Sequence, residues 1–364
     1  MNTSNGPSAL ISVLDWGLGH ATRCIPIIRA LKKRGFNVVI ATDGAPMAML
    51  KKEFPNTEFL QLRGYNIRYA SQKAFSLASI LRQLPKIISL INFEKKWIKV
   101  LLKERHFDVI ISDNRPGFYH PEVKSIYLTH QLNIQTGNNF LNRIANFIHK
   151  RITSPFNECW VPDSPDHLLT GKLSLTNDHL PIKFIGPLSQ FNNINGNQSP
   201  IKNIDLLFVL SGPEPQRSIF ENKILKSLET YSGSAVVVRG LPLIQNTLQH
   251  SSKNITLINY ASAEELFHLL RRAKWIIGRS GYTSVMDYSY LKVKALFVPT
   301  PGQTEQEYLA IHLSQACLFP YLNQDNFNLQ TAINMLETWQ FNQCFPCFDK
   351  YKTEINRLFG SLQN

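Results

Sequence analysis

Residues 273–287 read Ala273-Lys274-Trp275-Ile276-Ile277-Gly278-Arg279-Ser280-Gly281-Tyr282-Thr283-Ser284-Val285-Met286-Asp287. The apolar run at 275–277 predicts a strand, Arg279-Ser280-Gly281 a turn, and the stretch from Tyr282 a helix with an acid about two turns in. A second strand exit follows in Val298-Pro299-Thr300-Pro301-Gly302-Gln303-Thr304-Glu305-Gln306-Glu307-Tyr308. Working outward, strands are predicted at 204–210, 235–239, 255–258 and 295–298, and helices at 215–229, 263–272, 282–291 and 305–315. The same alternation fills the earlier half, with strands at 9–14, 37–42, 57–62, 107–112, 123–129, 158–161 and 182–185 and helices at 21–34, 45–54, 76–105 and 139–150. Several of these strands are continuously apolar, as befits strands covered by helices on both faces. Between the halves, residues 186–203 (GPLSQFNNINGNQSPIKN) have the composition of a linker. The expected class is α/β, with two doubly wound Rossmann-like domains facing each other across a cleft. The expected limits are 1–186, a linker at 187–203, and 204–364, with a final helix that is free to pack back on the first domain.

The 364 residues hold 39 Lys and Arg against 26 Asp and Glu, a formal charge of +13. A 43% apolar and 18% charged composition excludes a disordered chain. The opening residues show no signal-peptide pattern and no window approaches the ~20 apolar residues of a membrane span, so a cytoplasmic protein is expected. Five scattered cysteines exclude a disulfide framework. Cys344-Phe345-Pro346-Cys347 has half-zinc or redox spacing, but no second pair or nearby His completes it, and two thiols in a packed tail are expected. Residues 1–190 hold 24 basic and 13 acidic side chains, net +11, and the remainder only +2. Ten of the basic residues (Arg63, Arg68, Lys73, Arg82, Lys86, Lys95, Lys96, Lys99, Lys103 and Arg105) fall within 63–105 beside two acids, Glu94 and Glu104. Leu77, Ile80, Leu81, Leu84, Ile88 and Ile91 recur there at helical spacing, and Pro85 is expected to kink or divide the helix. A basic amphipathic helix at 73–105 suits an anionic membrane surface, and equally an ordinary solvated face. Nucleic acid is not expected, since no base-reading motif or aromatic platform accompanies the charge.

Directly after the first strand comes Asp15-Trp16-Gly17-Leu18-Gly19-His20-Ala21-Thr22-Arg23. Glycines at a strand-to-helix turn permit close approach of a ligand, and the helix start favours negative charge. Asp43 after the second strand imitates the ribose-binding acid of a dinucleotide fold, but Thr22 stands where that fingerprint wants Gly or Ala, which argues against NAD. His20 lies at the carboxyl end of the first strand, where α/β folds place ligands. Its ordinary pKa of about 6.5 suits a general base, unless it merely caps the helix.

The Arg279-Ser280-Gly281 turn, Asp287 and the proline-rich exit with its Gln-containing loop resemble, in order and spacing, the GT-B glycosyltransferases of the family 28 type. That group includes the enzyme forming lipid II. The loop Gly17–Arg23 is similar to the acceptor-side glycine loop of the same superfamily, and closest to that of related UDP-sugar hydrolases. The resemblance implies a nucleotide-sugar donor in the later domain. Backbone N–H groups at Ser280-Gly281, joined by Ser211-Gly212, would then hold the pyrophosphate. Arg279 would add charge, and Asp287 would accept the two ribose hydroxyls. Gln306 with Glu305 and Gln303 would read the sugar, and Tyr260 and Ala261 would pack on the base. The acceptor would lie at Gly17, Gly19 and Arg23, with His20 as general base and Asp15 orienting it. Leu210-Ser211-Gly212-Pro213-Glu214-Pro215-Gln216 departs from the family's longer glycine-rich turn, which leaves the sugar's identity open. No Asp-x-Asp motif occurs, so neither a metal nor another cofactor is expected.

The expected activity is hexosyl transfer from a nucleotide-diphosphate donor, a UDP-sugar above all, to a hydroxyl of a glycan or glycolipid in cell-envelope synthesis. A UDP-sugar hydrolase or non-hydrolysing epimerase of the same fold is the alternative, and a non-catalytic sugar-nucleotide-binding protein the rival from another class.

Overall fold

The computed structural model describes residues 6–65, 77–134, 139–175, 181–192, 194, 201–242, 244 and 254–363. The first four residues of the expected basic helix (73–76) and part of the expected linker (193 and 195–200) lie outside the described residues.

The first unit holds β1 (Ser8–Val13), α1 (Leu18–Lys33), β2 (Asn37–Thr42), α2 (Gly44–Glu53), β3 (Glu58–Gln61), α3 (Leu77–Glu104), β4 (Val109–Asp113), β5 (Lys124–Leu128), α4 (Asn139–Thr153), β6 (Glu158–Val161) and β7 (Ile182–Phe184). Its seven parallel strands run in the order β3-β2-β1-β4-β5-β6-β7. The order turns back between β1 and β4, and such a reversal opens a crevice at the carboxyl ends of the two strands. Leu10, Val39, Ala41 and Ile110 form a core with Ile98 and Trp97 of α3. The second unit holds β8 (Ile204–Val209), α5 (Gln216–Leu228), β9 (Ala235–Val238), β10 (Ile255–Ile258), α6 (Ala263–Arg272), β11 (Ala273–Gly278), α7 (Tyr282–Leu291), β12 (Ala295–Phe297), α8 (Thr304–Gln315) and α9 (Leu329–Thr338). Its five parallel strands run β10-β9-β8-β11-β12, with the reversal between β8 and β11.

Residues 187–190 group with the first unit, and Leu188 and Ser189 are fully buried there, so this part of the linker-like stretch is packed structure. The last helix, α10 (Lys350–Gln363), also belongs to the first unit. Phe359 meets Phe36 edge-on at 5.6 Å and carries the Arg34 guanidinium at 4.2 Å, while Tyr351, Ile355 and Leu358 are buried. Cys344 and Cys347 are exposed free thiols, which corrects the expected packed tail. Pro85 lies inside α3 without dividing it. It is exposed, so the carbonyl left without an amide partner can turn to water. Among the described residues, no helix is long and apolar enough to cross a membrane.

Candidate active site

In the first unit, four polar side chains converge at the β1/β4 reversal. The chain register sets Val13 opposite Asp113, so the last residue of β4 faces the loop that leaves β1. Gly17 makes that loop turn with φ +85°, a backbone region open to glycine, and caps α1. His20 follows in the first turn, Gly19 accepting from Thr22 Oγ1 at 2.9 Å. His20 Nδ1 lies 2.7 Å from Asp113 Oδ2, and its side chain keeps 14% exposure while Asp113 has none. Arg23, one turn on, donates Nε to Asp113 Oδ1 at 2.6 Å and brings another nitrogen within 2.9 Å of His20 Nδ1. A guanidinium can only donate and a carboxylate can only accept. We assign the Nδ1 proton to the shorter contact, with Asp113 accepting, and this assignment leaves Nε2 as the basic nitrogen. Arg23 also approaches His130 Nδ1 at 2.6 Å, which makes that nitrogen an acceptor.

Burial and then Arg23 push the His20 pKa below its ordinary 6.5, against the opposing pull of Asp113. Burial works against the Asp113 charge, but Arg23 and His20 outweigh it and hold the carboxyl below the ordinary aspartate range. Two expectations change here. The carboxylate on His20 Nδ1 is Asp113, whereas Asp15 accepts from the Tyr65 amide at 2.7 Å and ties the β1 exit to the β3 exit. Arg23, 2% exposed, braces Asp113 rather than reaching outward to an acceptor. Asp43 caps α2 through the Gly44 amide. Trp16, 37% exposed, is the large apolar side chain beside the His20 loop.

The roles assigned to His20 and Asp113 fix the pH behaviour. The acid limb of kcat/KM should lie below pH 6.5, where His20 takes up its proton. Asp113→Asn should move that limb lower still, because the influence raising the His20 pKa is gone while Arg23 remains. The plateau rate should fall as well, since an amide no longer selects the Nδ1–H tautomer. A limb that stays in place in the variant would separate Asp113 from the titrating group.

In the second unit, the exits of β8, β11 and β12 lie side by side. Ser211 and Gly212 are exposed, and Gly212 takes φ +103° with its open side toward Thr300 Oγ1. Gly281 caps α7, whose first amides carry the positive end of the helix dipole. The Ser280 hydroxyl donates to the Gln306 carbonyl at 2.7 Å, so its polar handle is engaged within the loop. Asp287 sits on the second turn of α7 and is 5% exposed. Tyr260 is half-buried and Ala261 buried, in the loop leaving β10.

Arg279 departs from expectation. It is 1% exposed, and its guanidinium donates to the carbonyls of Val298, Pro299 and Gln216 and to Gln324 Oε1, at 2.6–3.2 Å, over the Phe220 ring. Burial lowers its pKa to about 9, which leaves it a cation at neutral pH. It pins the β11, β12 and α5 loops together and is not presented to a diphosphate. Gln306 is also a loop builder, since its Oε1 accepts from the Thr300 amide at 2.9 Å and its Nε2 donates to Gln303. Glu307 accepts from Gly302, while Glu305 is half-exposed on the first turn of α8. Sequence reasoning missed the Arg217–Glu221–Arg239 cluster beneath the β8 exit, where both arginines meet Glu221 and Arg217 also holds Glu214 at 2.7 Å. Burial opposes the Glu221 charge, but the two arginines keep its pKa below the ordinary range. This cluster braces the loop in which Pro213 and Pro215 stand in place of the resembled family's glycine-rich turn.

Residues 237–355 match the glycosyltransferase family 28 C-terminal domain. Among solved structures, the glycotransferase of kitacinnamycin aligns over 98% of this chain and 95% of its own, at 15% identity and a TM-score of 0.64. UGT89C1 of Arabidopsis thaliana, solved with UDP-L-rhamnose, aligns over 99% and 94%, at 14% identity and a TM-score of 0.59. MurG of Acinetobacter baumannii aligns over 98% and 94%, at 12% identity and a TM-score of 0.52. A sequence search of characterised proteins finds no match. The fold is that of the GT-B glycosyltransferases. The similarity to family 28 is confined to residues 237–355.

Proposed function

We propose that this protein transfers a hexosyl group from a UDP-sugar to a hydroxyl of a glycan or glycolipid acceptor. The observation that carries the reading is the His20–Asp113 pair at the strand-order reversal of the first sheet. His20 Nε2 takes the proton of the acceptor hydroxyl as its oxygen bonds to the anomeric carbon, and the nucleoside diphosphate leaves with the electrons of the broken C–O bond. Asp113 steadies the imidazolium that forms. A single displacement inverts the anomeric carbon. The amides at Ser211-Gly212 and Gly281-Tyr282, with the α7 dipole, stabilise the diphosphate, so the step is assigned no metal ion. Asp287 takes the ribose hydroxyls, Gln303 and Glu305 face the sugar, and Tyr260 and Ala261 face the base.

A panel of UDP-, GDP- and dTDP-sugars read by thermal shift tests the donor. UDP-sugars should raise the melting temperature, with stabilisation reaching about 2.7 kcal/mol at a hundredfold excess over Kd. A panel without any shift would remove the donor assignment. The similarity of the His20 loop to UDP-sugar hydrolases supports a second reading, with water in place of the acceptor. Rapid sugar release from a UDP-sugar alone would favour it.

A further inference from the structure

Asn114 follows Asp113 directly at the carboxyl end of β4, and its backbone sits at φ +51°, a region that side-chain-bearing residues seldom occupy. The turn around it is fixed from both sides. Its amide donates to the Leu128 carbonyl at 3.2 Å, which ties it to the end of β5. The Ser112 hydroxyl and the Phe118 amide both donate to the Arg115 carbonyl, at 2.6 Å and 3.0 Å, and Arg115 itself is fully buried. Asparagine is common in such turns because its side chain accepts from the amide two residues on. That role is closed here, since residue 116 is proline and has no N–H. Glycine would hold the same backbone with less strain, so the shape of the turn does not account for the amide side chain.

The neighbouring polar groups at the β1/β4 reversal are already engaged: His20 and Arg23 with Asp113, and Asp15 with the Tyr65 amide. The Asn114 side chain is half-exposed and makes no hydrogen bond with the described residues. An amide offers two donor hydrogens and an acceptor oxygen, the complement of a hydroxyl, which both donates and accepts.

We infer that Asn114 is a specificity-determining residue that binds a second hydroxyl of the acceptor, on the same ring as the hydroxyl that His20 deprotonates. The assignment rests on the acceptor reading of the His20 crevice and narrows it to a polyhydroxylated ring, excluding a lone alcohol or phenol. Asn114 is covalently joined to the residue that holds His20 Nδ1, so the group that orients the ring and the group that takes its proton share one rigid frame. A ring lacking the second hydroxyl would cover the amide without pairing it, and an unpaired polar group is how such a site rejects the analogue.

The test is a ligand-observed NMR titration of the full chain. The probes are methyl glycosides of glucose, galactose and N-acetylglucosamine, with cyclohexanol as a ring bearing one hydroxyl. At least one glycoside should bind the wild-type chain, and Asn114→Gly should weaken it about tenfold while leaving cyclohexanol unchanged. Glycine suits φ +51°, so the melting temperature should stay close to that of the wild type. A wild-type chain that binds no glycoside would overturn the proposal, as would equal glycoside binding by the variant. So would equal weakening of glycoside and cyclohexanol, which would report a change of shape. The transfer reading fails separately. Asn114-dependent glycoside binding without a UDP-sugar thermal shift or His20-dependent turnover would leave the hydroxyl site and remove the transferase, and the converse pattern would remove Asn114 alone.

Discussion

Replacing His20 by alanine is expected to lower kcat by about 10²–10⁴-fold, the usual worth of a positioned general base. The UDP-induced thermal shift should survive, because the residues assigned to the nucleotide belong to the other unit. This split between turnover and binding is the informative result. A protein that only senses sugar nucleotides would have no turnover to lose. Loss of both turnover and nucleotide binding would show that His20 holds structure instead.

The largest stability effect is expected at Arg115. Its guanidinium has no exposure, donates Nε to Glu94 Oε1 at 2.8 Å, and reaches the Arg63 carbonyl at 2.6 Å and the Val13 carbonyl at 3.5 Å. Glu94, equally buried on α3, also accepts from the Gly117 amide at 2.9 Å. One pair thus fastens α3 to the exits of β1 and β3, directly beneath the loop that carries His20. Arg115→Ala leaves a carboxylate in the core without its cation, and should cost about 3–5 kcal/mol. Burial already raises the Glu94 pKa, and losing Arg115 raises it further. A group whose folded pKa is raised stabilises the fold at pH values below its unfolded pKa, and loses that contribution as pH climbs through the folded one. The deficit should therefore be greatest near neutrality and shrink toward about pH 4. Urea midpoints of Arg115→Ala across pH 4–8 check this, and a pH-independent deficit would contradict the role given to Glu94.

The fold was legible because its signals are local. Apolar runs such as Val38–Ala41 and Trp275–Ile277 fit covered strands, and the glycines at 17, 212 and 281 mark the turns that follow β1, β8 and β11. The site was only partly legible. Gly17, His20 and Gly281 stand next to their strands in sequence and could be read from spacing. Asp113 is 93 residues from His20, and only the β1–β4 pairing brings it there. With no long-range information, the nearest acid, Asp15, took its place. Arginine misled for a related reason. Arg23 and Arg279 stand where a ligand-binding cation would, but sequence does not say which way a long side chain turns, and both turn inward to acceptors that arrive from distant loops.

Because residues 346–363 complete the first unit, a nascent chain emerging from the ribosome must carry that unit unfinished while everything from 191 to 345 is translated. Until α10 arrives, Phe36 and its neighbours on α1 lack their cover. The early half therefore carries that uncovered surface throughout synthesis, and expressing residues 1–190 as a fragment would reproduce it unless the α10 peptide were supplied in trans.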